Sequence, residues 1–299
     1  MSSKRVLITG ASGLLGRKLL SEFSENGWDA LGLAFTRATG KLRKVDIRDE
    51  KQVDDVITKF QPHFVVHSAA ERRPDVVEKD EAATEILNVT STANISRLVR
   101  EHGGSLLHIS TDYVFDGTKP PYKPSDEPNP LNKYGKSKLA AEQSVTRNFP
   151  SAIILRVPIL YGDVESLDES AVTVLFKSVR DVSKEAKMSD YEVRYPTDVA
   201  DVAFVCRQLA ERRMSDSSIK GVFHWSGPDC MTKYQMAVAM ATTFGMSSGH
   251  LVPDKEPSKS APRPYNSHLD SSDLQEMGIG RKTPFRDGIV RVLKDFVPK

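Results

Sequence analysis

The segment that most restricts the fold is Gly10-Ala11-Ser12-Gly13-Leu14-Leu15-Gly16. It follows the apolar run Val6-Leu7-Ile8 and leads directly into a stretch of helical periodicity, Leu14 to Glu25. Glycines at this GxxGxxG spacing do three different jobs. Gly10 permits a tight turn, Gly13 lets a pyrophosphate approach the backbone, and Gly16 lets helix and strand pack closely. The helix N-terminus then offers oriented N–H donors to the anion. It is the setting between strand and helix that turns a glycine-rich loop into a dinucleotide fingerprint.

The next 140 or so residues keep the same rhythm of strand and helix. Arg5–Thr9, Asp29–Ala34, Phe64–His67, Leu106–Ser110 and Ala152–Val157 read as strands. Leu14–Glu25, Glu50–Phe60, a stretch between Pro74 and His102, and Lys136–Asn148 read as helices between them. Apolar strands joined by crossover helices imply a parallel sheet covered on both faces, with ligands beyond the carboxyl ends of the strands. After Tyr161 the rhythm weakens. Helices are expected over Ser170–Val182, Asp198–Arg212, Lys233–Phe244 and Arg286–Phe296, with a short run at Tyr191–Arg194 and a strand at Val222–Trp225. The polar, Pro-rich stretch from Pro253 to Pro262 reads as an exposed loop. No internal repeat is evident.

Composition narrows the function classes. With 39% hydrophobic and 27% charged residues in 299, the chain is neither disordered nor low-complexity. A net charge of +2 gives no global field toward nucleic acid or anionic lipid, so any anion site must be local. Cys206 and Cys230 lie in no metal-ligand spacing and read as structural thiols of a reducing compartment. The start Met1-Ser2-Ser3-Lys4-Arg5 carries no apolar signal region, and no run of about 18 apolar residues occurs, so a cytoplasmic chain, free to enter the nucleus as well, is expected. The triplets starting at Asn88 and Asn94 are then decoys for glycosylation.

Several residues carry candidate chemistry. The tip of the second strand reads Ala34-Phe35-Thr36-Arg37, without the acid that would bond a ribose 2′-hydroxyl. A guanidinium there favours NADP over NAD, unless Arg37 is simply solvated. Asp46-Ile47 stands where an adenine is flanked, Asp46 accepting from the exocyclic amine or only entering a helix. Tyr134 and Lys138 are four apart on one helical face, so the ammonium can favour the phenolate and Tyr134 can protonate a carbonyl as hydride arrives. Ser110-Thr111-Asp112 ends the preceding strand, where a hydroxyl can orient the same carbonyl. Arg72-Arg73 follows the strand Phe64–His67, at the mouth where ligands bind, as a ligand contact or a solvated pair. His63 and His67 read as core or rim residues, and no metal site is expected.

With these residues in place the chain resembles the extended short-chain dehydrogenase/reductases. More narrowly it resembles dTDP-4-dehydrorhamnose reductases, through Ser110-Thr111-Asp112-Tyr113-Val114-Phe115-Asp116-Gly117, the Tyr134/Lys138 pair, Leu155-Arg156, Pro196-Thr197 and Arg263-Pro264. It is similar above all to an animal branch of that group, the regulatory subunits of methionine adenosyltransferase. That likeness rests on Ala70-Glu71-Arg72-Arg73-Pro74-Asp75, Val157-Pro158-Ile159-Leu160-Tyr161-Gly162, Glu169-Ser170-Ala171-Val172-Thr173-Val174 and Phe223-His224-Trp225-Ser226-Gly227, among others.

The resemblance implies an α/β fold, a Rossmann-like doubly wound parallel sheet with a smaller C-terminal lobe. The NADP-binding part would take residues 1–160, completed by about 196–226, and the lobe residues 161–195 and 227–299. NADP contacts would fall on Ser12, Gly13, Leu14, Leu15, Phe35, Thr36, Arg37, Asp46, Ile47, Ser68, Arg72, Tyr134, Lys138 and Leu160. It also implies a partner, the catalytic methionine adenosyltransferase subunit, with the catalytic trio Thr111, Tyr134 and Lys138 retained but not in use. The alternative is a working NADPH-dependent reductase of a 4-keto nucleotide sugar. A third reading is an adaptor that senses oxidised against reduced cofactor. Two departures bear on this. Pro158-Ile159 stand where the reductases carry a sugar-stacking Trp, so an aromatic platform is expected to be missing, and Tyr191-Glu192-Val193-Arg194-Tyr195 replaces their Asp-Gln element. The regulatory subunits have a basic, aromatic C-terminal tail thought to reach into the partner. Here the sequence ends Asp295-Phe296-Val297-Pro298-Lys299, so weaker docking, or docking through other surfaces, is expected.

Overall fold

The structure is a computed structural model that describes residues 4–258 and 261–297. Met1-Ser2-Ser3, the Lys259-Ser260 part of the Pro-rich stretch and the terminal Pro298-Lys299 lie outside the described residues.

Strands β1 (Lys4–Thr9), β2 (Trp28–Ala34), β3 (Arg43–Lys44), β4 (Phe64–His67), β5 (Ser105–Thr111) and β6 (Ile153–Val157) come first in chain order. β7 (Leu160–Tyr161), β8 (Ala186–Ser189), β9 (Thr197–Asp198), β10 (Gly221–His224) and β11 (Leu251–Asp254) complete the set. Seven of them form one sheet in the order β10-β6-β5-β4-β1-β2-β3, parallel throughout. The chain builds outward from β1 to β3 in one direction and from β4 to β10 in the other. The seam between β1 and β4 is therefore the switch point, where a crevice opens beyond the carboxyl ends.

Alternation along each strand supplies both faces with apolar side chains. Val6 and Ile8 join the core made by Leu15, Leu19 and Phe23 of α1 (Leu14–Glu25) and by Val202, Val205 and Leu209 of α8 (Val199–Ser215). Leu7 points the other way, to Val53, Val56 and Ile57 of α2 (Glu50–Phe60), Ile95 and Val99 of α5 (Ser91–Glu101), and Val145 of α6 (Lys133–Asn148). A third cluster stands apart, around Tyr161, Phe176 of α7 (Leu175–Arg180), Met236 and Met240 of α9 (Lys233–Thr243), and Phe285 and Ile289 of α11 (Phe285–Leu293). Among the described residues no helix is long and apolar enough to cross a membrane.

Three expected elements come out differently. The stretch from Pro74 to His102 is not one helix but α3 (Pro74–Val77), α4 (Glu81–Thr84), a π turn over Glu85–Thr90, and α5. Asp80 restarts the chain by accepting from the Ala83 N–H. Within the π turn Asn88 accepts from Glu71 N (2.9 Å) and donates to Glu71 O (3.0 Å), which pins the loop after β4. The predicted helix Ser170–Val182 shrinks to α7, because Ser170 turns its hydroxyl onto the Leu160 carbonyl at 2.8 Å and caps Val172 N. Tyr191–Arg194 forms only isolated bridges, at Val193 and Arg194; the strand of this region is β8, parallel to β11. The short α10 (Ser272–Glu276) has no counterpart among the helices expected from the sequence.

Other expectations hold closely. α1, α2 and β4 have the predicted bounds. His67 is fully buried and bonded through both ring nitrogens, to Thr9 (2.7 Å) and Thr92 (2.9 Å). Cys206 is buried in α8, as a structural thiol would be, whereas Cys230 is exposed and departs from that expectation.

Candidate active site and cofactor cleft

A cleft of about 1160 Å³ opens at the carboxyl ends of the strands. It gathers nearly every residue singled out from the sequence. Gly10, Ser12, Gly13, Leu14, Leu15, Gly16, Phe35, Thr36, Asp46, Ile47, Ser68, Arg72, Thr111, Tyr134, Lys138 and Leu160 all line it. Arg37 does not. Its guanidinium turns onto Glu169, 2.9 Å away.

The glycine loop has the form its chemistry needs. Gly10 adopts φ +69°, a conformation few side chains tolerate. A Cβ on Gly16 would lie 2.1 Å from Gly10 O, so only glycine lets helix and strand meet here. Gly13 is the N-cap of α1 and receives no side-chain cap, and a Cβ on it would approach only Gly10 O, at 3.2 Å. The first N–H groups of α1 therefore face the cleft without a side-chain partner, as a cradle for a pyrophosphate requires. At the adenine end Phe35 lies under the Arg48 guanidinium (5.2 Å), and Asp46 is paired with Arg48 at 2.7 Å, which holds its carboxyl below the usual range. Arg48 is a second cation at this end that the sequence pattern did not single out. The tip of β2 contributes no acid of its own, and the carboxylate that reaches it, Glu169, is paired with Arg17 and Arg37, so the residues present fit a phosphorylated adenine dinucleotide.

Deeper in, the trio sits on β5 and α6. Asn132 caps α6 by accepting from Gly135 N at 2.8 Å, which starts the helix just before Tyr134 and sets Tyr134 and Lys138 one turn apart. Burial pushes the Tyr134 phenol up; a hydrogen bond from Thr111 and the charge of Arg72 pull the other way. The Lys138 ammonium does not stand on the phenol as expected. It donates to Ile109 O at 2.8 Å and lies 3.0 Å from His108 Nε2, and burial lowers its pKa to about 8. Beneath, His108 rests against His67 with ring centroids 5.2 Å apart, and burial together with Lys138 keeps both neutral. Glu142 and Arg156, both buried, form a two-point pair at 2.7 and 2.9 Å. Ser110 gives its hydroxyl to Glu142, and Thr111, beside it on the cleft, gives its own to Asp112 at 3.1 Å.

The far half of the cleft carries charges that the sequence pattern did not bring together. Glu192 and Arg194, from the short run Tyr191–Arg194, line it together with Lys187, Lys233 and Arg263. Arg194 donates to Pro264 O at 2.9 Å and lies over the Tyr113 ring at 5.7 Å. Neither tryptophan reaches the cleft, in keeping with the expected lack of a Trp platform. Tyr113 does line it, so an aromatic face is present and Arg194 covers it. The Lys233 amine is lowered by burial and by Arg263 and Arg194. Among the described residues no group of three or more His, Cys, Asp or Glu is placed to hold a metal.

Comparison with known proteins decides the family. The model of the RmlD substrate binding domain matches residues 4–297. This chain belongs to the RmlD family. Within it the chain falls in the methionine adenosyltransferase beta-subunit branch. It is 52% identical over 296 residues to methionine adenosyltransferase 2 subunit beta of Bos taurus, covering 99% of this chain and 89% of that one. Identity to dTDP-4-dehydrorhamnose reductase of Aggregatibacter actinomycetemcomitans is 31% over 285 residues, covering 91% and 92%. Among solved structures, dTDP-4-dehydrorhamnose reductase of Bacillus anthracis in complex with NADP superposes with a TM-score of 0.86 at 26% identity, covering 99% of each chain. The parallel sheet and flanking helices are thus those of an extended short-chain reductase.

Proposed function

We propose that the chain is an NADP-binding regulatory subunit that docks on the catalytic subunit of a methionine adenosyltransferase and modulates S-adenosylmethionine synthesis. The observation that carries this reading is the gap in identity, 52% to a beta subunit against 31% to a reductase, at near-complete coverage of both. The cofactor reading is supported by the uncapped α1 N-terminus, by a β2 tip without an acid, and by the NADP bound to the Bacillus anthracis relative. NADP would be held by Gly10, Ser12, Gly13, Leu14, Leu15 and Gly16 at the pyrophosphate and by Phe35, Thr36, Arg37, Asp46 and Ile47 around the adenosine. Ser68, Arg72, Tyr134, Lys138 and Leu160 would take the nicotinamide half. Residues 1–160 with 196–226 would form the cofactor-binding part, and 161–195 with 227–299 the smaller lobe.

The trio supports a non-catalytic part in this protein. A phenol raised by burial is a weak proton donor, and the ammonium that would ease it is engaged by His108 and Ile109. The test is S-adenosylmethionine synthesis by the catalytic subunit at limiting methionine, with and without this chain, beside size-exclusion of the mixture. A changed rate with a co-eluting complex is the expected result; no complex and no rate change overturn the proposal.

A second reading is favoured by Thr111, Tyr134 and Lys138 lining one cleft with the glycine loop. When bound, NADPH supplies hydride; Thr111 would orient the carbonyl of a 4-keto nucleotide sugar and Tyr134 would protonate its oxygen. NADPH consumption with such a substrate, abolished by Tyr134→Phe, would establish it.

A further inference from the structure

Glu169 lies outside the glycine motif and outside both ends of the expected nucleotide site, yet three parts of that site converge on it. Its Oε1 accepts from Arg37 Nη1 at 2.9 Å and from Arg17 Nη1 at 3.2 Å. Oε2 accepts from Arg17 Nη2 at 2.7 Å and from Glu165 N at 3.0 Å, and the Glu169 backbone carbonyl accepts from Arg72. Arg17 in turn donates to Ser12 O at 3.0 Å. One residue thus ties together the glycine loop, the tip of β2 and the tip of β4, three turns that are distant in sequence.

We propose that Glu169 is a positioning residue that fits this cleft to a phosphorylated adenine dinucleotide by holding Arg37 at the tip of β2. The assignment rests on the NADP reading under Proposed function. Arg37 is 52% exposed, and without an anchor an exposed arginine keeps the rotamer freedom that weakens any single contact it makes. Glu169 engages only Nη1. Among the described residues Arg37 Nε and Nη2 make no protein hydrogen bond, so that edge of the fork is available to phosphate oxygens.

Two features argue against a carboxylate that merely competes with phosphate. Its charge is met at two points by Arg17, so Arg37 is not its main counter-ion. The carboxyl is also ionised throughout the physiological range: burial acts to raise it, but the bonds from Arg17, Glu165 N and Arg37 outweigh burial and hold it at about 2. The anchor is therefore constant and does not switch with pH.

Equilibrium titrations of NADP⁺ and NAD⁺ with the full chain test this, on wild type, Glu169→Ala, Glu169→Gln, Arg37→Ala and the Glu169→Ala/Arg37→Ala pair. Loss of one charge-assisted contact predicts that Glu169→Ala weakens NADP⁺ about tenfold and NAD⁺ by less than about twofold. Glu169→Gln, which keeps an acceptor oxygen, should recover part of the loss. In the Arg37→Ala background the Glu169→Ala change should add nothing, since the two act as one unit. Equal losses for both nucleotides would reduce Glu169 to a structural tie and overturn the proposal. So would additive losses, or tighter NADP⁺ binding by Glu169→Ala. A wild-type chain that binds neither nucleotide overturns the cofactor reading itself, a failure visible before any variant is made.

Discussion

The near half of the cleft, at β1, β2 and β4, is walled largely by backbone. Gly10, Gly13 and Gly16 stand within seven consecutive residues, and what they offer a ligand is a turn, a helix end and an absence of side chains. The far half is walled by side chains. Glu192 with Arg194, Lys233 and Arg263 come from three segments separated by tens of residues, and Glu192, Arg194 and Arg263 are held by bonds to other segments. A site of the first kind is vulnerable to an added atom, and a site of the second kind to a removed one.

The largest expected effect would break the second kind. Glu142→Ala strands the Arg156 guanidinium in a buried setting beneath β5 and β6, where its pair partner and the Ser110 acceptor are lost together. Removing one member of such a pair should cost about 4 kcal/mol in urea unfolding. A cost below about 1 kcal/mol would show that the structure behind the trio does not depend on the pair.

In the near half Gly16→Ala should cost about 3 kcal/mol, because its new methyl must displace Gly10 O and Ala11 Cα, at 2.1 and 2.7 Å. Gly13→Ala sharpens the point. With a φ of −82° and only one neighbour, at 3.2 Å, that variant should fold with a stability change within about 1 kcal/mol and still bind dinucleotide poorly, since the methyl faces the cleft. Melting curves beside a nucleotide titration separate the two outcomes.

Lys138 stands where the halves meet and gives a pH signature. Its pKa is lowered from 10.5 to about 8, so between those values the unfolded chain binds more protons than the folded one and stability rises with pH. The burial cost is fully present below pH 8 and fades toward 10.5. Lys138→Met should flatten this rise, whose slope is at most about 1.4 kcal/mol per pH unit. Parallel slopes for variant and wild type would contradict a buried ammonium.

The smallest effect belongs to the rim. Asp75 and Arg263 pair across the mouth at 3.1 Å, but the Asp75 side chain is 57% exposed. Asp75→Ala should shift stability by no more than about 0.5 kcal/mol, and high salt should erase even that.

The two halves also differ in how far their sequence foretells them. The glycine loop, the alternating elements of the sheet and the Tyr134/Lys138 spacing are local patterns, and α1, α2 and β4 keep their predicted bounds. The helix expected from Pro74 to His102 failed because Asn88 bonds a loop 17 residues away, a contact that no helical period announces. Arg37 was legible as a cation near the β2 tip, but its tie to Glu169, 132 positions on, was not.

Sequence alone determined the fold class, the place of the dinucleotide loop and the residue types of the trio, because periodicity, glycine freedom and helical spacing act over a few residues. Only the tertiary structure decided that Lys138 would lie on His108, that Glu169 would gather three turns, and that the far half would be lined by charge. Burial and long-range hydrogen bonds set those outcomes, and they exist only once distant segments have been packed together.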